Sequence, residues 1–286
     1  MRTVTAISGM KAAVAGLRAQ GRTIGFVPTM GALHEGHLSL VRECRRSADI
    51  TVVSIFVNPL QFGLQEDFRR YPRDPDRDAA RLEAEGADIL FLPEDLEMYP
   101  PGYSTSVEVA GLQEKLCGRS RPGHFRGVAT VVLKLFLIVR PDWAFFGQKD
   151  AQQVVVLRRM ATDLNMDVEI RALPIIREPD GLAMSSRNAY LSSDERRAAL
   201  VLSRSLKEAR QLYEKGERAA SPIRERLLRT LASEPLVKLD YAEIVDPSSL
   251  EPVERIEGET LIALAVYIGR TRLIDNIILG KTREAR

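Results

Sequence analysis

The sequence predicts an α/β fold, a doubly wound parallel sheet followed by a smaller C-terminal α+β domain. Up to about residue 177, short apolar runs rich in β-branched residues alternate with helical stretches, which is typical of a parallel sheet covered by helices. After the turn signal Glu178-Pro179-Asp180-Gly181, two helical segments come first and strands follow. We therefore expect two domains, residues 1–177 and residues 178–286.

Hydrophobic periodicity predicts the elements of the first domain. Strands are expected at 23–27, 50–57, 89–92, 143–146 and 168–173, with helices at about 7–20, 36–47, 74–85, 125–139 and 150–164. Ligands of such sheets bind beyond the carboxyl ends of the strands, and the polar, glycine-rich segments of this chain follow predicted strands. This placement favours a Rossmann-like nucleotide-binding domain.

The second domain is predicted to be a small antiparallel unit. Helices are expected at 194–215 and 222–233, and strands at 239–245, 260–268 and 273–278. Since residues 184–188, where the two domains would meet, could close over a nucleotide, we expect this domain to act as a lid over the first.

Composition narrows the functional class. The chain has 286 residues, of which 45% are hydrophobic and 28% charged, so a disordered or fibrous protein is excluded. The net charge of +2 gives no reason to expect nucleic acid as a partner. The two cysteines suit a reducing cytoplasm, and the longest apolar run, 128–139, is too short to span a bilayer. We expect a cytoplasmic protein that binds small molecules and no membrane.

The most informative segment, residues 24–41, joins an apolar strand to a helix through a turn that carries His34 and His37. A spacing of three puts both imidazoles on one face of the first helical turn, where free N–H groups and the helix dipole favour an anion such as phosphate. Gly31 and Gly36 lack a Cβ, which would let a ligand approach the backbone.

Other interpretations of the two histidines remain open at this point. A zinc-protease helix needs His-Glu-x-x-His, and here the second histidine comes one residue too early. Histidines at the start of a helix can also be simple caps or half-buried core groups.

Further candidate groups follow other strands. Lys149, within Gln148-Lys149-Asp150, offers a cation at a strand-to-helix junction, although such a pair of charges is usually a surface feature. Gln61 and Gln153 carry amides suited to a hydroxyl or a carboxylate.

Two segments near the predicted domain junction and the fourth helix could bind anions. Residues 184–188, Met-Ser-Ser-Arg-Asn, supply hydroxyls and a guanidinium that suit phosphate, and would otherwise form an exposed capping turn. Residues 119–126 crowd three arginines and His124 before a helix. Neither a P-loop nor a Gly-x-Gly-x-x-Gly fingerprint is present, so phosphate would be held by the histidine turn and by these cations.

Five sequence blocks together resemble the pantoate–β-alanine ligase family. They are Pro-Thr-Met-Gly-Ala-Leu-His-Glu-Gly-His at 28–37, Phe-Val-Asn-Pro-Leu-Gln-Phe-Gly at 56–63, Arg-Pro-Gly-His-Phe-Arg-Gly-Val at 121–128, Phe-Phe-Gly-Gln-Lys-Asp at 145–150, and Gly-Leu-Ala-Met-Ser-Ser-Arg-Asn at 181–188. The histidine block alone also resembles the wider nucleotidyltransferase superfamily with its His-x-Gly-His motif. The second and fourth blocks are narrower and favour the ligases.

The resemblance implies an AMP-forming ligase that joins an acid to an amino acid. ATP and pantoate would give an enzyme-bound pantoyl adenylate and pyrophosphate, and β-alanine would then displace AMP to give pantothenate. It also implies Mg²⁺, for which no protein ligand is assigned, and a homodimer. Two other functions stay open at this point: a nucleotidyltransferase that passes AMP to a phosphate acceptor, and a nucleotide-sensing protein without turnover.

The resemblance assigns roles residue by residue. His37, His34 and Lys149 would be catalytic. Gln61 and Gln153 would bind pantoate, and Gln61 would also lie near β-alanine. The ATP site would comprise Met30, Gly31, Ala32, Leu33, His34, Glu35, Gly36, His37, Gly147, Gln148, Lys149, Asp150, Ile176, Met184, Ser185, Ser186 and Arg187.

Overall fold

A computed structural model of the chain describes residues 1–63 and 66–280. A parallel sheet forms the N-terminal domain, with strands β1 (Arg2–Val4), β2 (Ile24–Thr29), β3 (Ile50–Ile55), β4 (Ile89–Phe91), β5 (Trp143–Gly147) and β6 (Glu169–Leu173). Their order is β1-β4-β3-β2-β5-β6. From β2 the chain adds β3 and β4 on one side, and it then crosses to the other side of β2 to add β5 and β6, so the strand order reverses beside β2. The predicted doubly wound α/β fold is confirmed, and the binding crevice of such a sheet lies at this reversal.

Helices cover both faces of the sheet. They are α1 (Ile7–Ala19), α2 (Glu35–Ser47), α3 (Pro75–Ala84), α4 (Asp95–Met98), α5 (Cys117–Ser120), α6 (His124–Val139) and α7 (Ala151–Asp163). Alternate strand residues face opposite sides. Phe26 and Phe146 pack with α1, α6 and α7, whereas Val27 and Phe145 pack with α2 and α3.

An aspartate comes just before each of the strands β3, β4 and β5, and its carboxylate accepts a backbone hydrogen bond from the beginning of a neighbouring strand. Asp49 accepts a hydrogen bond from the Thr23 N–H at 2.9 Å, and Asp142 accepts one from the Ile24 N–H at 2.7 Å. Asp88 accepts one from the Thr51 N–H at 2.8 Å. This edge of the sheet is opposite to the one that carries the histidine turn.

The C-terminal domain contains α8 (Ser193–Glu214), α9 (Ala220–Ala232), β7 (Val237–Val245), β8 (Thr260–Ile268) and β9 (Thr271–Leu279). The strands form an antiparallel sheet, as predicted, and pack with α8 and α9 around their own hydrophobic cluster. Their order in the sheet is β7-β8-β9. No helix in the described part of the chain is long and apolar enough to cross a membrane.

Candidate active site

Two adjoining cavities lie at the carboxyl edge of the parallel sheet. The smaller, about 210 Å³, is lined by residues that follow β2, β3, β5 and β6, which include Met30, Gln61, Lys149 and Ile176. The larger, about 520 Å³, extends towards the C-terminal domain. Residues shared by both cavities are Arg121, His124, Lys149, Asp150, Gln153, Ser185 and Arg187.

The histidine pair lies at the start of α2. His34 is the N-cap residue, and its ring centroid is 4.1 Å from that of His37. The His34 N–H lies 3.3 Å from His37 Nδ1, which therefore accepts and leaves the proton of neutral His37 on Nε2. Burial, with the nearby charge of Lys149, lowers the pKa of His34 to about 4, and burial together with His34 and Lys149 holds the pKa of His37 well below 6.5. Both imidazoles are thus neutral N–H donors at neutral pH.

The glycines of this turn serve internal packing. A Cβ on Gly36 would lie 2.9 Å from the His34 ring, and one on Gly31 would lie 3.0 Å from Asp78 Oδ2. Gly31 also has a φ of 80°, which favours glycine. The sequence predicts that both positions open the backbone to a ligand; Gly36 does line the smaller cavity, but Gly31 does not.

Asp78 of α3 holds the turn from outside. Its carboxylate, 2% exposed, accepts hydrogen bonds from the N–H groups of Ala32 at 2.7 Å and Leu33 at 2.9 Å. Arg81, one helical turn further on, donates to the Leu33 carbonyl. These contacts account for the positive φ of 50° at Ala32 and place the backbone just before His34. Nothing in the local sequence pattern indicates this role for Asp78.

Five of the residues expected at the ATP site lie outside the lining of the smaller cavity. Gly31 and Ala32 form the turn, Leu33 is buried in the hydrophobic cluster with α2, and Glu35 pairs with Arg42 at 2.5 Å. Gln148 donates to Asn276 at 3.4 Å. The cavity lining contains the other twelve: Met30, His34, Gly36, His37, Gly147, Lys149, Asp150, Ile176, Met184, Ser185, Ser186 and Arg187.

Gln61 lies on a short 3₁₀ turn after β3, and its amide orientation follows from its neighbours. Asn58 Nδ2 lies 3.1 Å from the Gly127 carbonyl, an acceptor only, and 3.0 Å from Gln61 Oε1. Tyr99 donates its hydroxyl to Asn58 Oδ1 at 2.7 Å. Since Gln61 Oε1 is engaged by Asn58, Gln61 Nε2 points the other way, 2.9 Å from Met30 Sδ. Gln61 therefore offers an N–H donor beside Met30.

His124 supports Gln61 from the start of α6. Its Nε2 lies 2.9 Å from Arg121 Nη1, which can only donate, so Nδ1 carries the proton and donates to the Gln61 carbonyl at 2.7 Å. Burial and the charge of Arg121 lower the pKa of His124 to about 3. Arg121 also forms a bidentate pair with Glu66, at 2.7 and 2.6 Å. His124 is thus a neutral support inside the site.

The segment at 184–188 combines a capping turn with cavity lining. Ser185 caps a 3₁₀ helix, Ser186–Tyr190, by accepting from the Arg187 N–H at 3.3 Å. Ser186 donates to the Tyr71 hydroxyl at 3.2 Å, and Arg187 is paired with Asp67 by two contacts of 2.9 Å. The segment is therefore a capping turn, half-buried where the sequence predicts an exposed one, and its residues line the cavity.

Lys149 and Gln153 complete the lining. Within residues 1–63 and 66–280, no carboxylate lies within ion-pair distance of Lys149 Nζ. Gln153, on the first turn of α7, faces both cavities. Its neighbour Gln152 is buried and bonded to the Cys117 N–H at 2.9 Å, so the two adjacent glutamines differ in role.

Comparisons with known proteins identify the family of this chain. A family model described as pantoate-beta-alanine ligase matches residues 2–278. A pantothenate synthetase of Pelotomaculum thermopropionicum is 58% identical over 281 residues, which cover 98% of this chain and 100% of that protein.

Solved structures agree as well. A crystal structure of pantothenate synthetase from Thermus thermophilus aligns with a TM-score of 0.93 at 46% identity, over 97% of this chain and 99% of that one. A pantoate-beta-alanine ligase of Francisella tularensis, complexed with beta-gamma ATP and beta-alanine, aligns with a TM-score of 0.78 at 33% identity, over 97% of both chains. This chain therefore belongs to the pantoate–β-alanine ligase family and is a ligase, as its sequence motifs predict.

Proposed function

We propose that this enzyme joins pantoate to β-alanine in two steps. A pantoate carboxylate oxygen attacks the α-phosphorus of ATP, and pyrophosphate leaves. The β-alanine amine then attacks the acyl carbon of the pantoyl adenylate, so that an amide forms and AMP leaves with one former carboxylate oxygen. The observation that carries the proposal is the convergence of two neutral histidines, a lysine without a carboxylate partner in the described residues and two glutamines on one cavity.

Each group has a role that its environment supports. His34 and His37, kept neutral by burial, would donate N–H groups to the α-phosphate, and Lys149 would stabilise the departing pyrophosphate. Gln61 and Gln153 would orient pantoate, with Gln61 also near β-alanine. No serine or cysteine nucleophile is required, because the activated acyl group is carried by AMP.

The remaining lining residues would bind the nucleotide. Met30, Gly147, Asp150, Ile176 and Met184 would contact adenosine, largely by packing and through the backbone. Ser185, Ser186 and Arg187 would hold the β- and γ-phosphates. Since Arg187 is paired with Asp67, phosphate binding there would exchange one anionic partner for another.

Magnesium would accompany ATP. The described residues contain no group of three or more histidine, cysteine or acidic side chains placed to hold a metal, and ATP-bound Mg²⁺ needs only one or two carboxylates. Asp150 is the only carboxylate among the described residues that line the smaller cavity, so the donor set fits such an ion. When bound, the ion would neutralise charge on the phosphate oxygens.

We also propose that residues 178–286 act as a lid, with the domain boundary near residue 177. The larger cavity is lined by both domains, which supports this role. Closure would exclude water from an adenylate that hydrolyses readily.

Isotope transfer tests the reaction. With both carboxylate oxygens of pantoate labelled by ¹⁸O, we expect one equivalent each of AMP, pyrophosphate and pantothenate, with one labelled oxygen in AMP and the other in the amide carbonyl of pantothenate. Label in inorganic phosphate, together with ADP, would instead indicate an acyl phosphate. Conversion of labelled β-alanine without pantoate, or AMP transfer to a phosphate acceptor, would contradict the ligase assignment.

A further inference from the structure

We infer that Asn276, on β9 of the C-terminal domain, is a positioning residue for Lys149. The inference rests on the proposed function, because Lys149 is assigned there to the departing pyrophosphate. It gives the C-terminal domain a part in the chemistry itself, in addition to covering the site.

The contacts of Asn276 are specific to the segment that carries Lys149. Asn276 Nδ2 donates to the carbonyl oxygens of Gln148 and Lys149, each at 3.0 Å. Its Oδ1 lies 3.4 Å from Gln148 Nε2. Two carbonyls can only accept, so they determine which end of this buried amide faces them.

The segment needs support from outside. Residues Gln148–Asp150 form a single 3₁₀ turn between β5 and α7, and such short turns have poor internal hydrogen-bond geometry. A Cβ on Gly147, just before the turn, would meet no atom within 4 Å, so no neighbouring group packs on that side of the chain at the entry to the turn. A rotation of the turn that redirects the Lys149 side chain would break both bonds from Asn276.

Asn276 is in turn held by the residue before it. The Asn276 N–H donates to Asp275 Oδ1 at 2.8 Å, and Asp275 forms a bidentate pair with Arg177 at 2.7 and 2.9 Å. Arg177 also donates to the Gly181 carbonyl at 3.1 Å. The position of Lys149 is thereby tied to β9 and to the segment that joins the domains.

The substitution Asn276→Asp tests this role because it keeps the shape of the side chain and replaces the two donors by an oxygen that faces two carbonyls. We expect the rate of pyrophosphate release in a single turnover with ATP and pantoate to fall about 10- to 100-fold, the effect of misplacing a catalytic group by about 1 Å. The KM for pantoate should stay unchanged, because Gln61 and Gln153 are untouched. Asn276→Ala, which adds no charge, should slow the same step and serves if Asn276→Asp does not fold.

A double-mutant cycle with Lys149→Ala separates positioning from general support. If Asn276 acts through Lys149, Asn276→Asp should lower the residual rate of the Lys149→Ala enzyme by no more than about 2-fold. An equal loss in both backgrounds, or a wild-type rate in Asn276→Asp, would overturn the inference.

Lys115→Met is the matched control. Lys115 links the domains elsewhere, through the Ser249 carbonyl at 2.7 Å and Glu251 at 2.5 Å. This variant should release pyrophosphate at the wild-type rate. If it were slowed as much as Asn276→Asp, the loss would come from a weaker contact between the domains, and the inference would be overturned. A wild-type enzyme that releases no pyrophosphate from ATP and pantoate would instead contradict the proposed function, before any variant is compared.

Discussion

At the scale of single residues, burial determines the charge state of the site. His34, His37 and His124 each sit where the charged form is disfavoured, and each has a pKa below its ordinary value. Neutral imidazoles keep an N–H donor while adding no positive charge beside Lys149, Arg121 and Arg187. The site thus concentrates its positive charge in lysine and arginine side chains and uses histidine for directed hydrogen bonds.

This charge state predicts how stability depends on pH. Below the ordinary pKa of 6.5 the unfolded chain takes up protons on these histidines and the folded chain does not, until pH falls to about 4 for His34 and about 3 for His124. The free energy of unfolding should therefore decrease as pH is lowered from 6.5 towards these values. Thermal unfolding should show a lower Tm at pH 5 than at pH 7.5.

The variant His124→Gln isolates one contribution. Since it removes one of the groups that resist protonation, its Tm should change less between pH 7.5 and pH 5 than that of the wild type. The carboxyl groups of Glu66 and Asp67 have lowered pKa values, so their contribution to the pH dependence of stability lies below pH 5. A Tm that rises on acidification would contradict the assignment of neutral histidines.

Sequence motifs located the residues of the site whose signals are local. The histidine pair and Lys149 belong to short blocks at strand ends, the serines at 185 and 186 belong to a block on the segment between the domains, and all line the smaller cavity. Asp78 and Asn276 have no such signal, because each acts on backbone atoms far away in the sequence. The residues that support a site from a distance are determined by the tertiary structure, which a local sequence pattern does not predict.

At the scale of elements, the site depends on how closely α2 packs on β2. A Cβ on Gly25 of β2 would lie 2.4 Å from Cys44 Sγ and 3.0 Å from Ala48 Cβ, at the end of α2. The helix can approach the strand only because position 25 has no side chain. Its other end carries His34 and His37, so this contact helps to set the height of the histidines above the sheet.

Gly25→Ala is therefore expected to destabilise the fold and to weaken ATP binding. Overpacking of a dense core lowers the free energy of unfolding by about 1–3 kcal/mol, measurable by urea denaturation. Gly16→Ala on α1 is the control, since a Cβ there meets no atom within 4 Å and should add about 0.4–1 kcal/mol of stability. If Gly25→Ala matched the wild type in both measurements, α2 would not depend on this contact.

Most elements could be predicted from periodicity, and the exceptions have physical reasons. The five strands expected in the first domain are present with small shifts at their ends, because buried β-branched runs give a strong signal. Periodicity does not predict β1, since an outermost strand of three residues is too short to show a pattern. The four-residue helices α4 and α5 are missed for the same reason. The strand order is also beyond its reach, because that order depends on contacts between distant segments.

At the scale of the whole molecule, polar links join the two domains around the larger cavity. Asp275 of β9 pairs with Arg177, and Ser120 of α5 donates to Asp240 of β7 at 2.9 Å. These links differ in burial, because the Asp275 side chain is only 2% exposed. The Arg177–Asp275 pair should therefore dominate the energetics of this interface.

Arg177→Met should strongly destabilise the protein, because it leaves the buried carboxylate of Asp275 without its ion-pair partner. Removal of one member of a buried pair lowers the free energy of unfolding by about 3–5 kcal/mol. The double variant Arg177→Met with Asp275→Asn should recover much of this loss, as no buried charge then remains. Denaturant unfolding of the two single variants and the double variant measures this, and additive losses would contradict a direct coupling.

The aspartates at the amino ends of the strands have a practical consequence for protein engineering. Asp49, Asp88 and Asp142 tie neighbouring strands together at the edge of the sheet farthest from the histidine turn. Mutational libraries aimed at thermal tolerance can be confined to that edge, and libraries aimed at new acid or amine substrates to the opposite one. Because the two sets of positions lie at opposite ends of the strands, improvements from each should combine in one chain with nearly additive effect.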